Sequence, residues 1–220
     1  MGKRERKAER YILSTLPVLY ISGRRDFQGG TQQFLSDDAY GRLCTVTGVL
    51  WTGQGYKFDG IGDKITVPVP SLANSDFTIG CLAKRTATGA FHFMCSLGAG
   101  GLANYDRIYL RYSDIDGLTY GIRGDSPVYT PKTPISGSLV FWMWSLNTTT
   151  LARNLYENGT LVASNTALSA YLDTATSFHI GEQSNDAGQN FAGLIKYVWL
   201  FRRVLPPAEV QNIYLATKGG

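Results

Sequence analysis

The segment Tyr105-Asp106-Arg107-Ile108-Tyr109-Leu110-Arg111 alternates aromatic and guanidinium side chains with Asp106, Ile108 and Leu110. In an extended chain every second residue projects to the same side, so Tyr105, Arg107, Tyr109 and Arg111 form a stripe, with Arg123 and Tyr129 following. Aromatic faces stack on pyranose rings and planar polar groups fix their hydroxyls. The stripe is therefore a candidate glycan contact. Tyr and Arg are also favoured at protein interfaces, so a partner contact or a solvated face is the competing reading.

A second constellation lies in Gly181-Glu182-Gln183-Ser184-Asn185-Asp186-Ala187-Gly188-Gln189. Calcium takes six to eight oxygen ligands, and Glu182, Gln183, Asp186 and Gln189 could supply several. The alternative is a polar loop whose Asn and Asp make local turn bonds, and no cofactor other than calcium is indicated. Glycoside hydrolysis needs two carboxylates flanking the scissile bond. The nearest pair, Asp114 and Asp116, stands beside Gly117 in a turn-like stretch. His92 and His179 fall in apolar strand patterns, where packing is the expected role, and two of them cannot build a zinc site. With no Gly-X-Ser-X-Gly, Walker or dinucleotide fingerprint, the expectation is a protein without enzymatic activity.

The elements that position these residues are strands. The chain of 220 residues is 44% hydrophobic and 17% charged, which excludes disorder for its bulk, and its Gly 25 and Tyr 13 favour strands joined by turns. Beyond a strand at Val18–Ile21 and a polar, Gly-rich loop over 22–42, strands are expected at 43–50, 55–59, 63–68, 76–84, 90–97, 106–113, 117–123, 138–147, 151–157, 160–165, 176–182 and 191–202. Phe77, Ile79, Cys81 and Ala83 share one face, as do Ile108, Leu110 and Tyr112. Trp142 and Trp144 oppose Phe141 and Met143, which points to packing on both sides of that strand. Asn158-Gly159 suits a type I′ hairpin, since both residues tolerate φ > 0. Pro206 and Pro207 open a closing helix with Val210, Ile213 and Tyr214 on its apolar face. A dozen short strands at this spacing indicate an all-β, two-sheet antiparallel sandwich. Cys44, Cys81 and Cys95 lack metal-like spacing; Cys81 and Cys95 read as buried free thiols, which fits synthesis in a reducing cytoplasm.

The run from Tyr56-Lys57-Phe58-Asp59-Gly60 to Lys64-Ile65-Thr66-Val67-Pro68 resembles a strand signature of laminin-G-like, concanavalin A-like jelly rolls. Asp76-Phe77-Thr78-Ile79, Leu155-Tyr156-Glu157-Asn158-Gly159, Phe178-His179-Ile180-Gly181, Phe191-Ala192-Gly193-Leu194 and Arg203-Val204-Leu205-Pro206-Pro207 follow in that family's order. The resemblance covers roughly residues 17–217 and implies a jelly roll, a fold that hosts lectins, glycosidases, adhesion modules and structural domains alike. The related glucanases carry Glu-X-Asp-X-X-Glu on one strand, a string absent here. The 181–189 segment is similar to the calcium loop of pentraxins, with altered spacing.

Charge separates the first residues from the rest. Lys3, Arg4, Arg6, Lys7 and Arg10 outweigh Glu5 and Glu9, holding three of the chain's formal net charge of +4. Residues 1–16 are expected to form a basic arm or short helix, with Tyr11 and Ile12 on its apolar side, ahead of a domain over 17–220. The evenly charged body argues against specific nucleic-acid binding, and no apolar run reaches the roughly 20 residues of a membrane-spanning helix. No secretory signal is recognisable at the start. These traits point to a virion protein, a bacteriophage decoration or tail-associated component whose arm docks on neighbouring subunits of the capsid or tail. Its jelly roll would face outward, toward cell-surface carbohydrate. A stand-alone secreted or surface lectin-like module is the alternative, and a glycoside hydrolase a more distant one.

Overall fold

The computed structural model describes residues 17, 19–22, 31–99, 104–131, 137–184 and 186–218. In chain order the strands are β1 (Leu19–Ser22), β2 (Thr31–Leu35), β3 (Leu43–Thr47), β4 (Leu50–Trp51), β5 (Tyr56–Asp59), β6 (Lys64–Pro68), β7 (Phe77–Arg85), β8 (His92–Leu97) and β9 (Ile108–Tyr112). They continue as β10 (Leu118–Ile122), β11 (Val128–Tyr129), β12 (Val140–Leu146), β13 (Ala152–Glu157), β14 (Thr160–Thr166), β15 (Ser177–Ile180), β16 (Glu182–Gln183), β17 (Asp186–Asn190) and β18 (Ala192–Phe201). The helix α1 (Pro207–Lys218) closes the described chain.

Two eight-stranded antiparallel sheets form the sandwich. The first runs β14-β13-β12-β7-β18-β5-β4, with β1 also paired to β18. The second runs β11-β10-β9-β8-β15-β6-β3-β2, and β16 and β17 make a separate hairpin. Several central sheet neighbours are distant in sequence, among them β7 with β18, β1 with β18, and β8 with β15.

Alternation decides which side chains fill the middle. In β7, Phe77, Ile79, Cys81 and Ala83 point between the sheets; they meet Ile108, Leu110 and Tyr112 of β9 and Trp142 and Trp144 of β12 in one core. Trp142 donates its indole N–H to the Tyr112 hydroxyl at 2.8 Å, a bond with no access to water. The opposite faces of the same strands are apolar too. Phe141 and Met143 of β12, with Tyr197, Trp199 and Phe201 of β18, build a second layer that Val210, Ile213 and Tyr214 of α1 cover. Cys44, Cys81 and Cys95 are buried free thiols, and burial together with the neighbouring Cys95 pushes the Cys81 thiol up.

Turn chemistry holds where it was clearest. Asn158 (φ 50°) and Gly159 (φ 77°) join β13 to β14, and the Asn158 side-chain oxygen accepts the Phe141 N–H at 3.1 Å. The helix begins at Pro207, and Glu209 in its first turn pairs with Arg203.

The structure corrects the expected strands at several places. The 22–42 stretch is not all loop, since β2 lies inside it and pairs with β3. The 43–50 run divides into β3 and β4 at Gly48 (φ 75°), and 176–182 divides at Gly181 (φ 84°). Val128–Tyr129 and Asp186–Asn190 are additional strands. The arm residues Lys3, Arg4, Arg6, Lys7, Arg10, Tyr11 and Ile12 lie outside the described residues.

Candidate functional site

The two sheets differ in what lies outside them. The β12-bearing sheet is closed by α1, whereas the outer face of the second sheet carries polar, cationic and aromatic side chains. Tyr109 and Arg111 of β9 point there because Ile108, Leu110 and Tyr112 point into the core. Phe93 of β8 joins them through a bulge between Phe93 and Cys95, which sends both Met94 and Cys95 inward and leaves Phe93 on the outer side.

The expected stripe is thus divided. Arg107 and Tyr109 are only 8% and 6% exposed. The Tyr109 hydroxyl lies 2.6 Å from Ser126 Oγ, and Ser126 itself donates to the Ile122 carbonyl at 2.7 Å, so Tyr109 is the donor of that pair. Its ring stands edge-on to Phe93, centroids 5.5 Å apart. Tyr105 leaves the stripe altogether. It precedes β9 in a left-handed turn (φ 60°), its N–H donates to the Arg123 carbonyl at 2.9 Å, and its ring packs against the core between the sheets. Arg123 pairs with the fully buried Asp106 at 3.3 Å, its own side chain 43% exposed. Arg111 and Arg123 are the members of the stripe that reach the surface with charge.

Arg111 is braced by rings. Its guanidinium carbon lies 4.2 Å from the Phe91 centroid, 4.7 Å from that of Tyr109 and 5.0 Å from that of Phe93. Burial lowers its pKa from the ordinary arginine value.

The 181–190 segment folds back over the same outer face. Ser96 of β8 donates to the Glu182 carbonyl at 3.0 Å and accepts the Ser184 N–H at 2.7 Å, which clamps the β16–β17 hairpin to the sheet. Glu182, a candidate calcium ligand, has its carboxylate 3.1 Å from Lys64 Nζ and 3.5 Å from His179 Nδ1. Gln183 is buried, Gln189 is half-buried, and the Asp186 side chain lies outside the described ones. Among the described residues no three His, Cys, Asp or Glu side chains converge on one point. A cation at this hairpin would have to displace the Lys64 ammonium from Glu182.

Ser177 Oγ, 3.3 Å from His179 Nε2, extends this chain toward solvent. The order Ser177–His179–Glu182 has the sequence of nucleophile, base and orienting acid. Catalysis by it lacks support in the geometry: the 3.5 Å approach at Nδ1 falls short of a hydrogen bond, Lys64 already engages the acid, and β15 is paired along both edges, so its backbone N–H groups belong to the ladder. Burial lowers the His179 pKa and the Glu182 carboxylate opposes that shift.

The remaining sequence candidates are structural. His92 is 4% exposed, and its Nδ1 accepts the Ala192 N–H at 3.2 Å. Asp116 sits at φ 60° in the turn after β9 and pairs with the fully buried Arg85, which also lies 5.0 Å from the Tyr112 ring. The Arg111 aromatic setting was missed in sequence because Phe91 and Phe93 precede it by 18 residues or more; only the pairing of Phe93 with Arg111 brings them together.

A laminin-G-type family model, described as the concanavalin A-like lectin/glucanases superfamily, matches residues 59–211. Among solved structures, Trypanosoma rangeli sialidase in complex with 2,3-difluorosialic acid superposes with a TM-score of 0.73 at 17% identity, covering 98% of this chain and 38% of that one. The botulinum neurotoxin serotype D ligand binding domain in complex with N-acetylneuraminic acid gives 0.72 at 13% identity, over 94% of this chain and 52% of that one. The chain thus spans between a third and about half of those proteins' length, and at such identity the likeness is one of fold. No curated protein sequence matches. Among the described residues no helix is long and apolar enough to cross a membrane.

Proposed function

The chain belongs to the concanavalin A-like lectin/glucanases superfamily, and from that premise we propose that it is a non-enzymatic carbohydrate-binding module. The observation that carries this reading is the asymmetry of the sandwich. One sheet hides its outer face under α1, while the other presents Arg111, Arg123 and half-buried Phe91 around β9. Such a mixture of ring and planar cation suits a sugar, whose ring faces are apolar and whose edge hydroxyls accept hydrogen bonds. The likeness to a toxin domain held in complex with N-acetylneuraminic acid supports the same reading. Binding without turnover accords with the weak contacts of the Ser177–His179–Glu182 chain and with Asp116 being engaged by Arg85. A place in a virion, docked by residues 1–16, rests on sequence traits alone, the basic segment and the lectin-like body among them, and the binding face does not depend on it.

A glycan array probed with the purified chain tests the proposal. We expect retention on a restricted set of saccharides and no release of reducing ends on prolonged incubation. Uniform failure to retain any glycan, or release of reducing ends from a bound one, would overturn it.

A further inference from the structure

Several cations placed on the sandwich are paired with an anion. Lys64 meets Glu182, Arg85 meets Asp116, Arg123 meets Asp106, Arg153 meets Asp125 and Arg203 meets Glu209. Arg111 differs. Among the described residues its side chain forms no ion pair and no hydrogen bond, and its buried Nε has no acceptor. Asp114, in the turn beyond β9, is near enough to favour its charge without bonding to it, and Arg107 opposes that charge.

An uncommitted guanidinium is common on a fully solvated surface. This one is half-buried against three rings, Phe91, Phe93 and Tyr109. The rings hold the side chain in place, which reduces the conformational entropy lost when a ligand binds. Partial removal from water strengthens the pull on an incoming anion. A planar fork of N–H donors matches a carboxylate in two parallel bonds. Phe91, itself half-buried beside the fork, offers a ring at the same place.

We propose that Arg111 anchors the carboxylate of an acidic saccharide, with Phe91 flanking the sugar that carries it. The inference rests on the binding-module reading and narrows it from sugars in general to carboxylate-bearing ones.

Calorimetric titration of the full chain with 3′-sialyllactose and with lactose, which differ by one carboxylate-bearing residue, tests it. The acidic sugar is expected to bind about tenfold tighter or better, the size of one charge-assisted contact. Arg111→Gln should reduce it to the level of lactose, and Arg111→Lys, which keeps the charge and loses the fork, should fall between. Thermal melts of both variants establish that they fold. Equal affinity for the two sugars, or an Arg111→Gln variant that binds sialyllactose like the parent, removes the anchor and leaves the binding module standing. Displacement of sialyllactose by poly-L-glutamate at equal carboxylate concentration also overturns the proposal, because it marks a surface for acidic protein instead. Binding of neither sugar, together with a blank glycan array, removes both readings at once.

Discussion

Histidine 92 shows how a side chain can look functional and be structural. It occupies the inner end of β8 near the buried Arg85, and burial, then the Arg85 charge, lowers its pKa, while Asp116 and a backbone contact oppose the shift. Its Nδ1 accepts the Ala192 N–H, a bond that protonation of that nitrogen breaks. An unfolded histidine binds its proton near pH 6.5. The native one resists, so the unfolded state takes up more protons as pH falls and native stability declines from about pH 6.5 downward. His179, also lowered by burial, adds to the decline. We therefore expect a lower melting temperature at pH 5.5 than at 7.5, and a smaller drop in His92→Asn, whose amide oxygen can still accept the Ala192 N–H. Equal drops in parent and variant would assign the pH dependence elsewhere. The types and parity of the β9 stripe were legible in sequence, and Arg111 does lie on the outer face. What could not be read was closure: Tyr109 is buried by Ser126 and Phe93, and Tyr105 turns inward, through contacts made by neighbouring strands and not by β9 itself.

At the level of elements, the signals that held were those with a local mechanism. Asn158-Gly159 needs only its own backbone preferences to form a turn, and the Phe77–Ala83 alternation needs only a buried face. The hairpin has a tertiary role as well. A Cβ on Gly159 would stand 2.4 Å from Gln211 Oε1 and 2.9 Å from Tyr214 Cδ1, both on α1. Gly159→Ala should therefore be destabilising by about 1–2 kcal/mol from left-handed backbone strain alone, with a further loss as Tyr214 shifts. Chemical denaturation gives the figure, and a change under about 0.5 kcal/mol, the range of ordinary surface substitutions, would show that the turn relaxes away from the helix. Strands β2 and β17 were not legible for the opposite reason. Polar residues dominate their runs, and pairing is fixed by partners elsewhere: β3 for β2, and for β17 the hairpin that Ser96 pins to β8. In the 181–189 run, whose side chains suit either calcium or local turn bonds, the Glu182 carboxylate faces Lys64 and His179.

At the scale of the whole molecule, the described residues form three layers with two separate apolar seams. One seam lies between the sheets, and the other lies between the β12-bearing sheet and α1. The surface proposed to bind sugar lies on the far side of the first seam from the helix. This arrangement predicts independence between stability set at the helix and recognition set at β9. Ile213 is fully buried in the helix seam, so Ile213→Ala should lower unfolding free energy by about 2–5 kcal/mol through lost burial and the cavity left behind. Its affinity for any glycan the parent retains should be unchanged at temperatures well below its melting point. Combined with Arg111→Gln, the two changes in stability should add to within about 0.5 kcal/mol, as expected for sites that share no contacts. Denaturation of both single variants and the double variant measures the coupling. A coupling beyond 1 kcal/mol, or a loss of glycan affinity in Ile213→Ala while it remains folded, would mean that the layers respond as one body and that the binding face is supported from the helix side.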